Sequence, residues 1–185
     1  MRKICLIVVV LLCLLSILEA LEIGGKNLPD KILAGDTELQ LNGAGLRKKL
    51  IIKVYAGALY LTQKSHDAAQ IAAADEPMAI RMHFIYKKVE PEKLIEAWNT
   101  GFAKSDVSNL QNEIAAFNAW FRQDALKDDV YEMIYIPGNG TSLYINDILQ
   151  GTLPGLEFKR ALFNIWLSEQ TELPDLRTAM LDLQE

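Results

Sequence analysis

The stretch Arg47-Lys48-Lys49-Leu50-Ile51-Ile52-Lys53-Val54-Tyr55-Ala56-Gly57-Ala58-Leu59-Tyr60-Leu61 decides the fold. From Leu50 to Leu61 it is apolar at odd and even positions alike, with Lys53 as its one charge. A strand apolar on both faces must be covered on both sides, which predicts a central place in its sheet. Just upstream, Glu38-Leu39-Gln40-Leu41-Asn42 alternates polar and apolar residues, as a half-buried strand does. Gly43 and Gly45 then interrupt the alternation and predict a turn or bulge before Arg47. Gly43-Ala44-Gly45 is not a nucleotide loop, because a strand leads into another strand where a third glycine and a helix start are needed.

Further strands are expected on either side of helical segments. Met78 to Tyr86 places Met78, Ile80, Met82 and Phe84 on one face, with Arg81 and His83 on the other. Tyr131 to Ile136 and Thr141 to Ile145 flank Pro137-Gly138-Asn139-Gly140, a hairpin signal in which Asn-Gly accepts positive φ cheaply. Leu149 to Leu153 adds one more strand. Pro91 suits the first turn of a helix whose stripe is Leu94, Ile95, Trp98 and Phe102. Ser108-Asn109-Leu110-Gln111 reads as a capping box before Ile114, Phe117 and Phe121. A third helix begins near Gly155 with Phe158, Ala161, Leu162, Ile165 and Trp166, and Ser65–Ala74 and Pro174–Leu183 are predicted as short ones. Hairpin-linked strands with clustered helices give an α+β architecture on an antiparallel sheet.

The N-terminus changes the composition of the rest. Arg2 and Lys3 precede twelve apolar residues, Ile4 to Leu15, and Leu18-Glu19-Ala20 closes the segment. That three-part layout predicts a secretory signal peptide over residues 1–20, with cleavage after Ala20 and a secreted or periplasmic destination. The run is too short for a spanning helix, which takes about 20 apolar residues. Leu12 before Cys13 does not fit a lipoprotein site, so no stable membrane anchor is expected. Removing 20 of the 185 residues leaves a single domain over residues 21–185, with both cysteines gone. Taking away Arg2, Lys3 and Glu19 leaves 17 basic and 23 acidic side chains, a formal charge of −6. Such a chain has no disulfide, no thiol nucleophile and no cysteine-ligated metal. Its acidity and lack of a basic stripe argue against nucleic acid.

Few residues offer chemistry. His66 and His83 are the only histidines, with no carboxylate at ligand spacing, so no metal site and no cofactor are expected. No serine sits between glycines in a strand–turn–helix elbow. Asn139-Gly140-Thr141 matches a glycosylation acceptor in form but reads better as the hairpin turn. What remains is Arg47 at the mouth of the doubly apolar strand, with Lys53 and Tyr55 along the same lane if no bulge intervenes. Cations in that setting need a partner. It is either a protein carboxylate or the anionic group of a ligand, which Arg47 would clamp with two parallel hydrogen bonds.

Leu41-Asn42-Gly43-Ala44-Gly45-Leu46-Arg47 followed by Lys53-Val54-Tyr55-Ala56-Gly57-Ala58-Leu59-Tyr60-Leu61 resembles the chalcone isomerase superfamily, and most closely its bacterial exported chalcone isomerase-like branch. The segment Gly155 to Leu167, with Pro174 and Leu176 after it, is similar to that branch too. The resemblance implies an open-faced β-sandwich: a large antiparallel sheet, a helical layer on one face, and a ligand cleft between them. In the plant enzymes a strand arginine steadies the phenolate and developing enolate, and in non-catalytic members it holds a fatty-acid carboxylate. Arg47 matches that arginine by motif. The enzyme's strand threonine falls on Tyr55, its tyrosine near Glu90, and its helical asparagine near Ala97, with Asn99 loosely close. A late threonine has no counterpart.

Three readings follow. In the first, an apolar cleft takes an acyl or aromatic tail while Arg47 and Tyr55, with Asn99 as a weaker candidate, hold the anionic head. In the second, the protein is an isomerase of the intramolecular-lyase type in which Arg47 stabilises an enolate or phenolate. In the third, it is an interaction protein whose Arg47 pairs a core carboxylate.

Overall fold

The computed structural model describes residues 20–183. The export signal expected over residues 1–20 thus lies outside the described residues, apart from Ala20. Eleven strands occur among the described residues: β1 (Ala20–Ile23), β2 (Lys26–Pro29), β3 (Lys31–Ala34), β4 (Thr37–Lys49), β5 (Ile52–Leu61), β6 (Met78–Phe84), β7 (Lys88–Val89), β8 (Ala125–Leu126), β9 (Val130–Ile136), β10 (Gly140–Ile145) and β11 (Ile148–Leu153). The helices are α1 (Ala68–Ala73), α2 (Pro91–Phe102), α3 (Gln111–Asn118), α4 (Leu156–Leu167) and α5 (Pro174–Met180). Seven strands form one sheet in the order β11-β10-β9-β6-β5-β4-β3, antiparallel throughout. The α+β architecture with a large antiparallel sheet and helices on one face is therefore the observed one.

β5 sits inside this sheet between β4 and β6, and it is buried continuously from Tyr55 to Leu61. Its period of two divides the molecule into two cores. Tyr55, Leu59 and Leu61 join the larger core under the helices, with Ile80, Met82, Phe84, Trp98, Phe117, Phe158 and Trp166. Ala56, Ala58 and Tyr60 face a smaller core with Leu28, Ala34, Leu39 and Ala79. The β1–β2 hairpin contributes Leu28 to that side, and the Tyr60 hydroxyl donates to the Pro29 carbonyl at 2.9 Å. Covering on both faces, expected for the stretch as a whole, thus holds from Tyr55 onward. It fails at its start, because the strand begins at Ile52 and Leu50-Ile51 form a two-residue turn, 93% and 94% exposed.

The glycines of β4 have a more specific job than a turn. The register slips between Leu41 and Gly43, so Asn42 is a bulge residue. Its buried side chain donates to the Ser65 and Met180 carbonyls, both at 2.9 Å, and accepts from the Ser65 N–H at 2.8 Å. A Cβ on Gly43 would lie 2.2 Å from the Ala179 carbonyl oxygen, and one on Gly45 would lie 2.6 Å from the Ala179 Cβ. Bare backbone there lets α5 lie directly on the strand. Gly43→Ala should accordingly cost about 1–3 kcal/mol, because the obstructing atoms are backbone and cannot swing away. Urea unfolding of the variant checks this.

Local signals fared unevenly. β9 and β10 form the expected hairpin, but Gly138 and Gly140 take the positive φ values, 76° and 108°, and Asn139 does not. The capping box at Ser108 is not formed. The helix starts at Gln111 after Leu110, with no side-chain cap, while Asp106 accepts from the Ser108 N–H at 3.1 Å and Gln111 donates to the Val107 carbonyl. Asp106 takes the Ser108 N–H, the donor that the Gln111 side chain would accept in a capping box. α1 does carry a side-chain cap, the Asp67 carboxylate accepting from the Gln70 N–H at 2.9 Å.

Candidate ligand-binding site

Where β4 and β5 emerge from the core, they splay from α2 and leave a cleft of about 800 Å³. Its floor is apolar: Met82 and Phe84 from β6, Leu94 and Trp98 from α2, and Ile165 from α4, all buried. Pro91 opens α2, and the four-residue spacing of Leu94 and Trp98 turns both side chains inward. A concave apolar space of roughly 300–1,000 Å³ with a few polar anchors is the usual form of a small-molecule site.

The anchors converge from separate segments. Arg47 and Tyr55 are direct partners across β4 and β5, and both line the cleft. The Tyr55 hydroxyl is buried and accepts the Trp166 indole N–H at 3.0 Å. Its own O–H therefore stays free to donate. Burial pushes the Tyr55 phenol up to about 12, against the smaller pulls of the Trp166 hydrogen bond and the Arg47 charge. It is a neutral donor across the physiological range. Trp98 also lines the cleft, and its indole N–H is buried with no hydrogen-bond partner among the described residues. A buried Trp N–H ordinarily finds an acceptor.

Charge at the rim is unbalanced. Three acidic side chains line the cleft: Glu90, Glu96 and Glu172. Each is taken by a lysine of the same rim, with Lys88 to Glu90 at 3.4 Å, Lys93 to Glu96 at 2.8 Å and Lys104 to Glu172 at 2.8 Å. Hydrogen bonds from Lys93 and Lys104 hold the Glu96 and Glu172 carboxyls below their ordinary range. Arg47, Lys49 and Lys87 also line the cleft and make no ion pair among the described residues. Arg47 spends one N–H on the adjacent Lys48 carbonyl. An acidic protein thus gathers three uncompensated cations around one apolar hollow.

Of the residues singled out in the sequence, Arg47 and Tyr55 come together and Asn99 does not join them. Asn99 faces α3, where its carbonyl oxygen accepts from the Asn118 amide at 2.8 Å. Glu90 and Ala97 line the cleft. Lys53 is exposed beside the hairpin turn, opposite Lys48, because the register slips between Arg47 and Lys48 and breaks the expected lane. The helix stripe identifies Trp98 only as an apolar-face residue, although a tryptophan there always carries an N–H to satisfy. Lys49 belongs to the basic run Arg47-Lys48-Lys49, whereas Lys87 gives no local signal, since only the fold brings it to the same mouth. No group of three or more His, Cys, Asp or Glu side chains gathers among the described residues.

Comparison with known proteins agrees with this architecture. A family model described as chalcone isomerase-like matches residues 20–182. The fold is also that of a crystal structure of a fatty-acid binding protein from Arabidopsis thaliana. That protein is 20% identical, with a TM-score of 0.72 over 89% of this chain and 97% of the other. No curated protein matches the sequence.

Proposed function

The chain belongs to the chalcone isomerase-like family, and on that premise we propose that its cleft binds a small amphipathic anion, a fatty acid or an aromatic acid, with the head group on Arg47. The observation that carries this reading is the uncompensated charge of Arg47, Lys49 and Lys87 at the mouth of an apolar floor. A carboxylate at that mouth would meet the guanidinium fork and the Tyr55 hydroxyl, and its tail would cover Phe84, Leu94 and Trp98. That the structurally similar Arabidopsis protein is a fatty-acid binding protein supports binding as the general activity. The reading of Arg47 as a structural partner of a core carboxylate has no support among the described residues, where no acid pairs with it. Isomerase chemistry has less support than binding, because by the family resemblance the enzyme's tyrosine falls near Glu90 and its asparagine near Ala97, neither of which repeats that side chain. Arginine alone stabilises an oxyanion without ordering the reacting groups. With residues 1–20 read as an export signal, ligand would be exchanged outside the cytoplasm. The intact mass of the purified protein checks the cleavage after Ala20.

Titration with oleate and with oleyl alcohol tests the proposal, because the two share a tail and differ in the head. Oleate is expected to bind saturably and at least tenfold more tightly than the alcohol, the difference a charge-assisted hydrogen bond makes. Equal affinities would remove the anion from the reading, and no binding of either would remove the cleft.

A further inference from the structure

The turn between β4 and β5 is expensive in three ways, and nothing in the fold offsets them. Leu50 and Ile51 are almost wholly exposed, at 93% and 94%, and Ile52 beside them is 43% exposed. Leu50 has a φ of +56°, and Ile51 is not in the left-handed region. Positive φ at the first residue alone of a two-residue loop is the type II′ pattern, where glycine is the usual occupant. A leucine there is strained and, being exposed, gains no packing in return. On the flanking rungs, Lys48 lies directly opposite Lys53, and Lys49 opposite Ile52. Like charges facing each other across a ladder repel. None of these three lysines makes an ion pair among the described residues.

We propose that this hairpin tip is a membrane-docking element that inserts Leu50 and Ile51 at the surface of an anionic bilayer while Lys48, Lys49 and Lys53 meet the lipid phosphates. Every local cost then has a counterpart. The aliphatic side chains leave water, and the opposed lysines find anions between and around them. The protein's net charge of −5 does not oppose this, because acidic groups more than a Debye length away are screened while the lysines touch the surface. Two aliphatic side chains and three cations give reversible contact, well short of a permanent anchor. Among the described residues no helix is long and apolar enough to cross a membrane. The tip also adjoins the cleft, whose lining includes Lys49 and Ile52. Docking would therefore hold the mouth against the bilayer, where an amphipathic anion partitions. That delivery role rests on the ligand reading above, whereas the docking itself does not.

Residues 21–185, the chain left by the cleavage expected after Ala20, are the form to test, by sedimentation with vesicles. The protein should pellet with phosphatidylcholine vesicles containing phosphatidylglycerol, scarcely with phosphatidylcholine alone, and less as salt rises. Leu50→Ser with Ile51→Ser should lower the partition coefficient at least tenfold with an unchanged melting temperature, since neither side chain is packed. Lys48→Glu with Lys53→Glu should lower it at least as much. Leu50→Gly keeps the turn, relieves its strain and should still bind vesicles several-fold less. Oleate titration should be the same in the serine and glycine variants, because neither Leu50 nor Ile51 lines the cleft. Vesicle binding that is absent in the unaltered protein, indifferent to anionic lipid, or untouched by these substitutions overturns the proposal. So does a dimer that the serine variant dissociates, which would make the tip a self-association surface. Docking without oleate binding would sink the ligand reading and leave the docking intact.

Discussion

Arg47→Ala should weaken oleate binding between about tenfold and a hundredfold while leaving oleyl alcohol within about twofold. Hydrogen bonds to charged groups are worth roughly 1.5–3 kcal/mol, and each 1.4 kcal/mol is a factor of ten. The figure belongs at the upper end if the carboxylate is desolvated against Phe84 and Trp98, since water then cannot replace the guanidinium. Lys49 and Lys87 keep the mouth cationic in the variant, which sets a ceiling on the loss. Arg47→Lys separates charge from shape. It retains the cation but not the planar fork, so an intermediate loss is expected. Stability should hardly move, because Arg47 is only half-buried and its one protein partner is the adjacent Lys48 carbonyl. A structural arginine would behave in the opposite way, with a lower melting temperature and parallel losses for both ligands. The two titrations and one melting curve therefore decide which arginine this is.

How far the sequence reveals this molecule depends on how local each determinant is. β5 is legible as an unbroken apolar run and the helix stripe of α2 as a 3.6-residue period, because burial on two faces or on one is written directly into neighbouring residues. The pairing of Arg47 with Tyr55 was within reach because both lie on one hairpin. That hairpin's turn was not, because Leu50 and Ile51 look like strand core by composition. A leucine at positive φ is a choice that local propensity argues against. Ser108 and Gln111 stand at capping-box spacing, but Asp106 reached the same backbone first. The cation excess at the cleft is only partly legible, because Arg47 and Lys49 stand in one basic run but Lys87 joins them only through the fold, and Lys104 is neutralised by Glu172 from a distant segment. Glycines 43 and 45 illustrate the limit from the other side. A bulge was readable, but the helix that requires the missing Cβ atoms lies more than 130 residues away in the chain. Long-range closeness leaves no periodicity to read.

Lys159 is the charge that the sequence conceals most fully, and replacing it should be the most destabilising change in the protein. It lies on α4 between Phe158 and Arg160 and is completely buried. Its ammonium donates to the carbonyls of Ile71 and Ala72, both at 3.0 Å, and of Ala74 at 2.7 Å. These carbonyls belong to the last turn of α1 and its C-cap, which have no partners within the helix. The rings of Tyr135 and Phe163 flank the charge at 5.5 Å and 5.6 Å. Lys159→Met keeps the volume and leaves these carbonyls without donors, at about 1–3 kcal/mol for each one that water cannot reach. A loss of roughly 3–5 kcal/mol is expected in urea unfolding, a large part of a typical domain's stability. Arg160→Ala is the control. Its guanidinium also caps α1, at the Ala73 carbonyl, but it is exposed, so removing it should cost no more than about 0.5 kcal/mol. The pH dependence has a definite sign. Desolvation pulls the Lys159 ammonium down to about 8, whereas an unfolded lysine titrates near 10.4. Between those values the unfolded chain binds more protons than the native one, so native stability rises with pH through that window. The neutral amine still donates two N–H groups to the helix end, so the cap survives the titration. The stability gap between the unaltered protein and Lys159→Met should therefore widen from pH 8 to pH 10. A gap that narrows over the same range would mean that the carbonyls hold the ammonium more strongly than burial opposes it.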